Sequence, residues 1–89
     1  MGDGDEDRMT TVTTHDLYYS AYLLSRGSRI ENIITKSNGH RQVAFEFSNP
    51  EMDRLVQEYR TGKAVTNVRQ YKSSLDHLKD IIFEGYGHR

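Results

Sequence analysis

Two residues, Asn38 and Gly39, constrain the fold of this chain more than any others. The pair suits a two-residue type I′ turn, because both central positions of that turn need positive φ. After it, Val43, Phe45 and Phe47 alternate with Gln42, Ala44 and Glu46, the period of a strand with one buried face. Before it, Ile30 to Ser37 supplies the partner strand. Pairing Ser37 with His40 sets Ile34 against Val43, Asn32 against Phe45 and Ile30 against Phe47. That register puts Ile34 on the core face and leaves Ile33 and Ala44 outside. Asn32 is a misfit on the core face, which a bulge or a strand end would explain. A lone hairpin is marginal in water, so helices must cover this one. Thr10–Thr14 is β-branched throughout and is the candidate for a third strand.

Three helices are expected around the hairpin. The first runs from about Leu17 to Arg26. Thr13 with Asp16 resembles a capping box, and Thr14 is the alternative cap. Between Leu17 and Arg26 only Ser20, Ser25 and Arg26 are polar. A helix apolar on nearly every side is either central in the core or carries an interface. Gly27 is placed to end it in a left-handed conformation. The second helix starts at Asn49-Pro50-Glu51, with Asn49 as cap and Pro50 at the first helical position. Met52, Leu55, Val56 and Tyr59 make its apolar face, and Gly62 ends it. Asn67 with Gln70 caps the third helix, whose inner stripe is Val68, Tyr71, Leu75, Leu78 and Ile82, with Ile81 and Phe83 beside it. The fold class is therefore α+β, in the order (β)-α-β-β-α-α: an antiparallel hairpin or small three-stranded sheet packed by three helices. The expected core is Leu17, Ala21, Leu24, Ile34, Val43, Phe45, Phe47, Leu55, Val56, Tyr59, Tyr71, Leu75, Leu78 and Ile82.

At 89 residues the chain is one domain. Residues 1–8 read as a disordered acidic tail, 9–84 as the folded unit and 85–89 as a frayed end. Four acids against Arg8 give the first eight residues −3, so the remainder carries +2. Asp3, Asp5 and Asp7 alternate like a calcium loop, but Arg8 stands where the sharp-turn glycine belongs and Thr14 where the bidentate glutamate belongs. There is no cysteine, so disulfide and thiolate chemistry are excluded. No apolar run approaches the ~20 residues that span a bilayer, and the acidic start is unlike a signal peptide. A cytoplasmic setting without membrane contact is expected.

The run Thr14-His15-Asp16-Leu17-Tyr18-Tyr19-Ser20-Ala21-Tyr22-Leu23-Leu24-Ser25-Arg26-Gly27 resembles the opening of a family of short bacterial and phage proteins catalogued as a domain of unknown function. The strand Val43–Phe47, the helix end Tyr59-Arg60-Thr61-Gly62 and the close Leu78–Phe83 are also similar. The resemblance covers most of 11–83. It implies a shared compact fold and a phage or mobile-element setting, and it brings no catalytic residues. Where that family often places Asp-Pro before the last helix, this chain has Asn67-Val68.

Catalysis is not expected. His15, His40, His77 and His88 stand apart, and His77 with Asp80 offers too few ligands for a structural metal site. Gly62-Lys63 lacks the rest of a phosphate loop, and no serine has the flanking glycines of a nucleophile elbow. Asp76 and Asp80 lie one turn apart without the enclosure that separates an acid from a base. No cofactor or metal is expected. Two binding readings remain. Tyr18, Tyr19, Tyr22 and Ile33 are candidates for a protein interface, because three tyrosines crowd a helix too apolar for one small core. On this reading the chain is a homodimer or an adaptor. The alternative is nucleic-acid binding by Arg60, Lys63, Arg69 and Lys72, which flank the loop between the second and third helices.

Overall fold

The computed structural model describes residues 10–37 and 41–86. The acidic tail and the Asn38-Gly39 turn lie outside the described residues. The described chain forms β1 (Thr10–Thr14), α1 (Leu17–Ser25), β2 (Arg29–Ser37), β3 (Arg41–Asn49), α2 (Met52–Arg60) and α3 (Val68–Tyr86). The fold is α+β. The strands form one antiparallel sheet in the order β1-β3-β2. Since β1 and β2 both run against β3, they are parallel to each other with β3 between them. The unit β1-α1-β2 is thus a split crossover, and the third strand inserts by a hairpin.

The register differs from expectation, with consequences for both faces. Ser37 pairs with Arg41, Ile34 with Ala44 and Ile33 with Phe45, each one residue away from the predicted partner. At Ile30↔Phe47 the expected pairing returns, because Glu31 is left without a partner. That is a β-bulge. A one-residue offset turns every side chain to the opposite face. Ile33 therefore shares the core face with Phe45, and Ile34 joins Ala44 on the outer face. Asn32 leaves the core face as well and donates from Nδ2 to Glu46 Oε1 at 2.6 Å. Beside it, the Glu31 carboxylate accepts from the buried Ser48 hydroxyl.

The caps are local and follow from the sequence, with adjustments. Asp16 itself caps α1: its Oδ1 accepts from the Tyr18 and Tyr19 amides at 3.0 and 3.2 Å. Thr14 instead accepts from the Asp16 amide, and Thr13 belongs to the strand. Gly27 sits at φ +92° and Gly62 at φ +79°. In both places the glycine amide and the next amide fold back onto the last-turn carbonyls: Gly27 to Leu24 and Ser28 to Leu23, Gly62 to Tyr59 and Lys63 to Glu58. This is the Schellman arrangement, which needs a left-handed residue. Asn49 stays in β3 and accepts the Glu51 amide at 2.8 Å, so α2 begins at Met52 rather than at Pro50. Asn67 caps α3 as expected, accepting from the Gln70 amide at 3.0 Å. That helix continues through Gly85 and Tyr86, two residues into the segment expected to fray.

The core is Ala21, Tyr22, Leu23, Phe45, Phe47, Met52, Leu55 and Leu78. Leu17, Leu24, Val43, Val56, Tyr71, Leu75 and Ile82 pack around it partly buried. Tyr22, Leu23 and Met52 are additions to the expected set, while Ile34 and Tyr59 are over a third exposed and Val68 is almost wholly exposed. The reason is the position of α1. It packs chiefly on α3 and also touches β1 and β3, so apolar groups on several of its sides are covered. Its near-uniform apolarity marks a central helix. Among the described residues, no helix is long and apolar enough to cross a membrane.

Candidate functional site

The four interface candidates are dispersed. Tyr18 is exposed and Ile33 about half exposed. Tyr22 is buried, 3% exposed, which corrects its place among surface residues. Tyr19 is partly buried and packs against the core. Its ring lies 4.4 Å from that of Tyr59, which also reaches Tyr22 at 5.4 Å. One tyrosine from α2 thus occupies two of the three rings that had suggested an interface on α1.

Tyr22 anchors a polar clasp at the C-terminal end of α1. Nη1 of Arg26 donates to the Tyr22 hydroxyl at 3.0 Å, to Glu58 Oε1 at 3.3 Å and to the Val65 carbonyl at 2.8 Å. Arg26 therefore ties α1 to α2 and to the α2–α3 loop with a single nitrogen. Ser25 extends the clasp. Its hydroxyl donates to the Tyr22 carbonyl and lies 2.7 Å from the Thr66 hydroxyl, which is left as the donor in that pair.

Burial raises the Tyr22 pKa above the ordinary tyrosine value; Arg26 opposes the shift and Glu58 adds to it. Tyr19 and Tyr71 are raised too, again chiefly by burial. A tyrosine whose folded pKa is raised holds its proton in the native state after the unfolded chain has lost it. Stability is then complete below the unfolded value of about 10 and falls as pH rises through the folded values. We expect an ultraviolet absorbance titration to show part of the tyrosine population ionising late, together with alkaline unfolding. Six tyrosines ionising together at the ordinary value, with the fold intact, would contradict this.

Beside the clasp a groove opens between α1 and the start of α3. Its larger part, about 690 Å³, is walled by Ser25, Arg26, Glu58, Lys63, Thr66 and Gln70 among others. An adjoining part of about 460 Å³ shares Ser25 and Gln70 and adds Arg69, Ser73 and Ser74. Of the four cations proposed for nucleic acid, Lys63 and Arg69 line this groove. Arg60 does not; its charge acts on Tyr19. Lys72 is paired with Asp76 at 2.9 Å. The groove is invisible in sequence because its walls come from segments about forty residues apart.

His15 and His77 are exposed, and His40 and His88 lie outside the described part. No three of His, Asp and Glu gather there to hold a metal ion. Every buried side-chain nitrogen and oxygen there has a hydrogen-bond partner.

β2 is an edge strand of nine residues, exposed from Glu31 to Lys36. Ile33 and Ile34 stand at its centre on opposite faces, 47% and 37% exposed.

No curated protein and no solved structure matches the chain. A family model does match, over residues 9–84, which takes in every strand and nearly all of the last helix. The chain belongs to that family, described as a domain of unknown function (DUF5659).

Proposed function

We propose that this protein is a non-catalytic binding module that works by protein association, as a homodimer or an adaptor, through the free edge of β2. The observation that carries this reading is the exposed centre of that strand. Edge strands present unpaired amides and carbonyls, and proteins normally blunt them with charge, bulges or short length. Here the bulge at Glu31 and the charge of Lys36 blunt the two ends only. Asn32 to Thr35 stays open between them, with an isoleucine on each face. A strand from a second molecule would complete the hydrogen bonds and cover both isoleucines. The thin core of so small a domain favours such docking. We place the protein in the cytoplasm of a cell or phage host, since a cysteine-free chain suits a reducing compartment.

Sedimentation velocity over a wide concentration range tests the homodimer. The double variant Ile33→Lys, Ile34→Lys should shift an associating wild type to monomer with an unchanged circular dichroism spectrum. A photo-crosslinking residue at position 33, used in the source cell, tests the adaptor. A wild type that stays monomeric at millimolar concentration and yields no adduct from position 33 would end the proposal.

A further inference from the structure

We propose that the groove between α1 and the start of α3 binds an acidic, extended peptide segment of a partner protein. This goes beyond the β2 edge and does not depend on it. The charges of the groove are unequal in their commitments. Arg26 is engaged by Glu58, Tyr22 and Val65, so Arg26 and Glu58 cancel within the wall. Lys63 and Arg69 have no acidic partner among the described residues, and they stand in the two parts of one groove. A ligand that spans both parts meets two uncompensated positive charges.

The rest of the lining is suited to a polypeptide. The Asn67 side-chain oxygen Oδ1 accepts from the Gln70 amide, which leaves the Asn67 side-chain nitrogen as a donor. Gln70 lines the same part of the groove and brings a second side-chain amide. Ser73 and Ser74 add hydroxyls that donate or accept. These groups match the carbonyls and amides of an extended chain, while two carboxylates answer Lys63 and Arg69.

Nucleic acid fits less well. No aromatic ring lines either part of the groove, so bases have no stacking surface. Two free cations would release few counterions, giving a log–log salt slope of only about −1.4 to −1.8. Leu24 and Val65 are the main apolar contributions, too little for an apolar peptide or a lipid chain.

The test is a nitrogen-15 NMR titration of the full chain with a synthetic decapeptide of alternating Asp and Ser. An Asn/Ser decapeptide and a ten-nucleotide oligothymidylate serve as comparisons. The Asp/Ser peptide should move the backbone amides of Ser25, Thr66, Gln70 and Ser73, and the Asn/Ser peptide should not. Lys63→Glu with Arg69→Glu should weaken binding by at least about tenfold, the scale on which reversed charge complementarity acts. The variant must keep the circular dichroism and the association state of the wild type, whatever that state is, which keeps this outcome separate from that of the β2 edge. Four results overturn the proposal: no groove shift at millimolar peptide, equal binding of the Asn/Ser peptide, unchanged affinity in the double variant, or tighter binding of oligothymidylate at the same amides. A fifth would reassign the occupant: groove amides that move in the free protein when Asp3, Asp5, Glu6 and Asp7 are neutralised point to the chain's own acidic opening.

Discussion

Phe47→Ala is expected to destabilise the fold by about 3–5 kcal/mol, the range for emptying a buried aromatic site. Phe47 is completely buried on the central strand. It pairs with Val12 on one side and Ile30 on the other, so it holds both edge strands to the core face. Its ring lies 6.1 Å from that of Phe45. Removing it opens a cavity beneath all three strands, and a backbone hydrogen-bonded on both sides cannot easily collapse into the space. For a domain of this size the loss is of the order of its whole stability. Each kcal/mol is worth about 4–8 °C in melting temperature at 60–100 residues. Thermal denaturation should therefore show a shift of tens of degrees or no folded state.

Ile34→Ala is the internal comparison. The register first read from the sequence put Ile34 on the core face, where its loss would be severe. On the outer face, over a third exposed, it should cost well under half as much as Phe47→Ala. Equal effects of the two substitutions would mean that the observed register is wrong.

The second large effect is expected at Arg26. Arg26→Met keeps much of the aliphatic stem and removes the guanidinium. The Tyr22 hydroxyl, the Val65 carbonyl and the Glu58 carboxylate each lose a charged donor. Hydrogen bonds to charged groups contribute about 1.5–3 kcal/mol, and the Arg26 side chain is only 24% exposed, so we expect a loss in that range. Glu58→Gln should cost less. Its contact with Arg26 is longer at 3.3 Å and partly open to water, and exposed pairs contribute about 0.2–1 kcal/mol. The distinctive readout is local. Val65 and Thr66 are tied to α1 through Arg26 and Ser25 alone among the hydrogen bonds seen, so the loop from Lys63 to Asn67 should lose amide protection before the sheet does. Native-state hydrogen exchange measures this. Uniform loss of protection across sheet and loop would contradict a clasp that acts on the loop.

Much of the fold was legible in the residues because its signals are local. Gly27 and Gly62 end helices where only a left-handed residue serves, and Asn67 caps with its own side chain. The alternation Val43-Phe45-Phe47 names the central strand's buried face without reference to any partner. These features need no knowledge of what lies across the core.

The site residues were less legible, because each depended on a partner distant in sequence. Tyr22 is available at the surface as far as its own helix shows; Arg26 and Glu58 engage its hydroxyl and Tyr59 from α2 packs on its ring. Ile33 is exposed, but its pairing with Phe45 puts it on the core face rather than the outer one. Lys63 and Arg69 appeared as members of a basic run, and only the approach of Ser25 and Arg26 turns them into two walls of one groove.

The sequence by itself determined the element order, the glycine ends of the first two helices, the cap of the third and the buried face of β3, since these follow from backbone preference and the period of apolar residues. Tertiary structure alone decided the β2 register, the burial of Tyr22 and the existence of the groove. The physical reason is the same in each case. A single unpaired residue at Glu31 reverses the faces of the strand beyond it, and contacts between segments far apart in the chain decide which polar groups remain free for a partner.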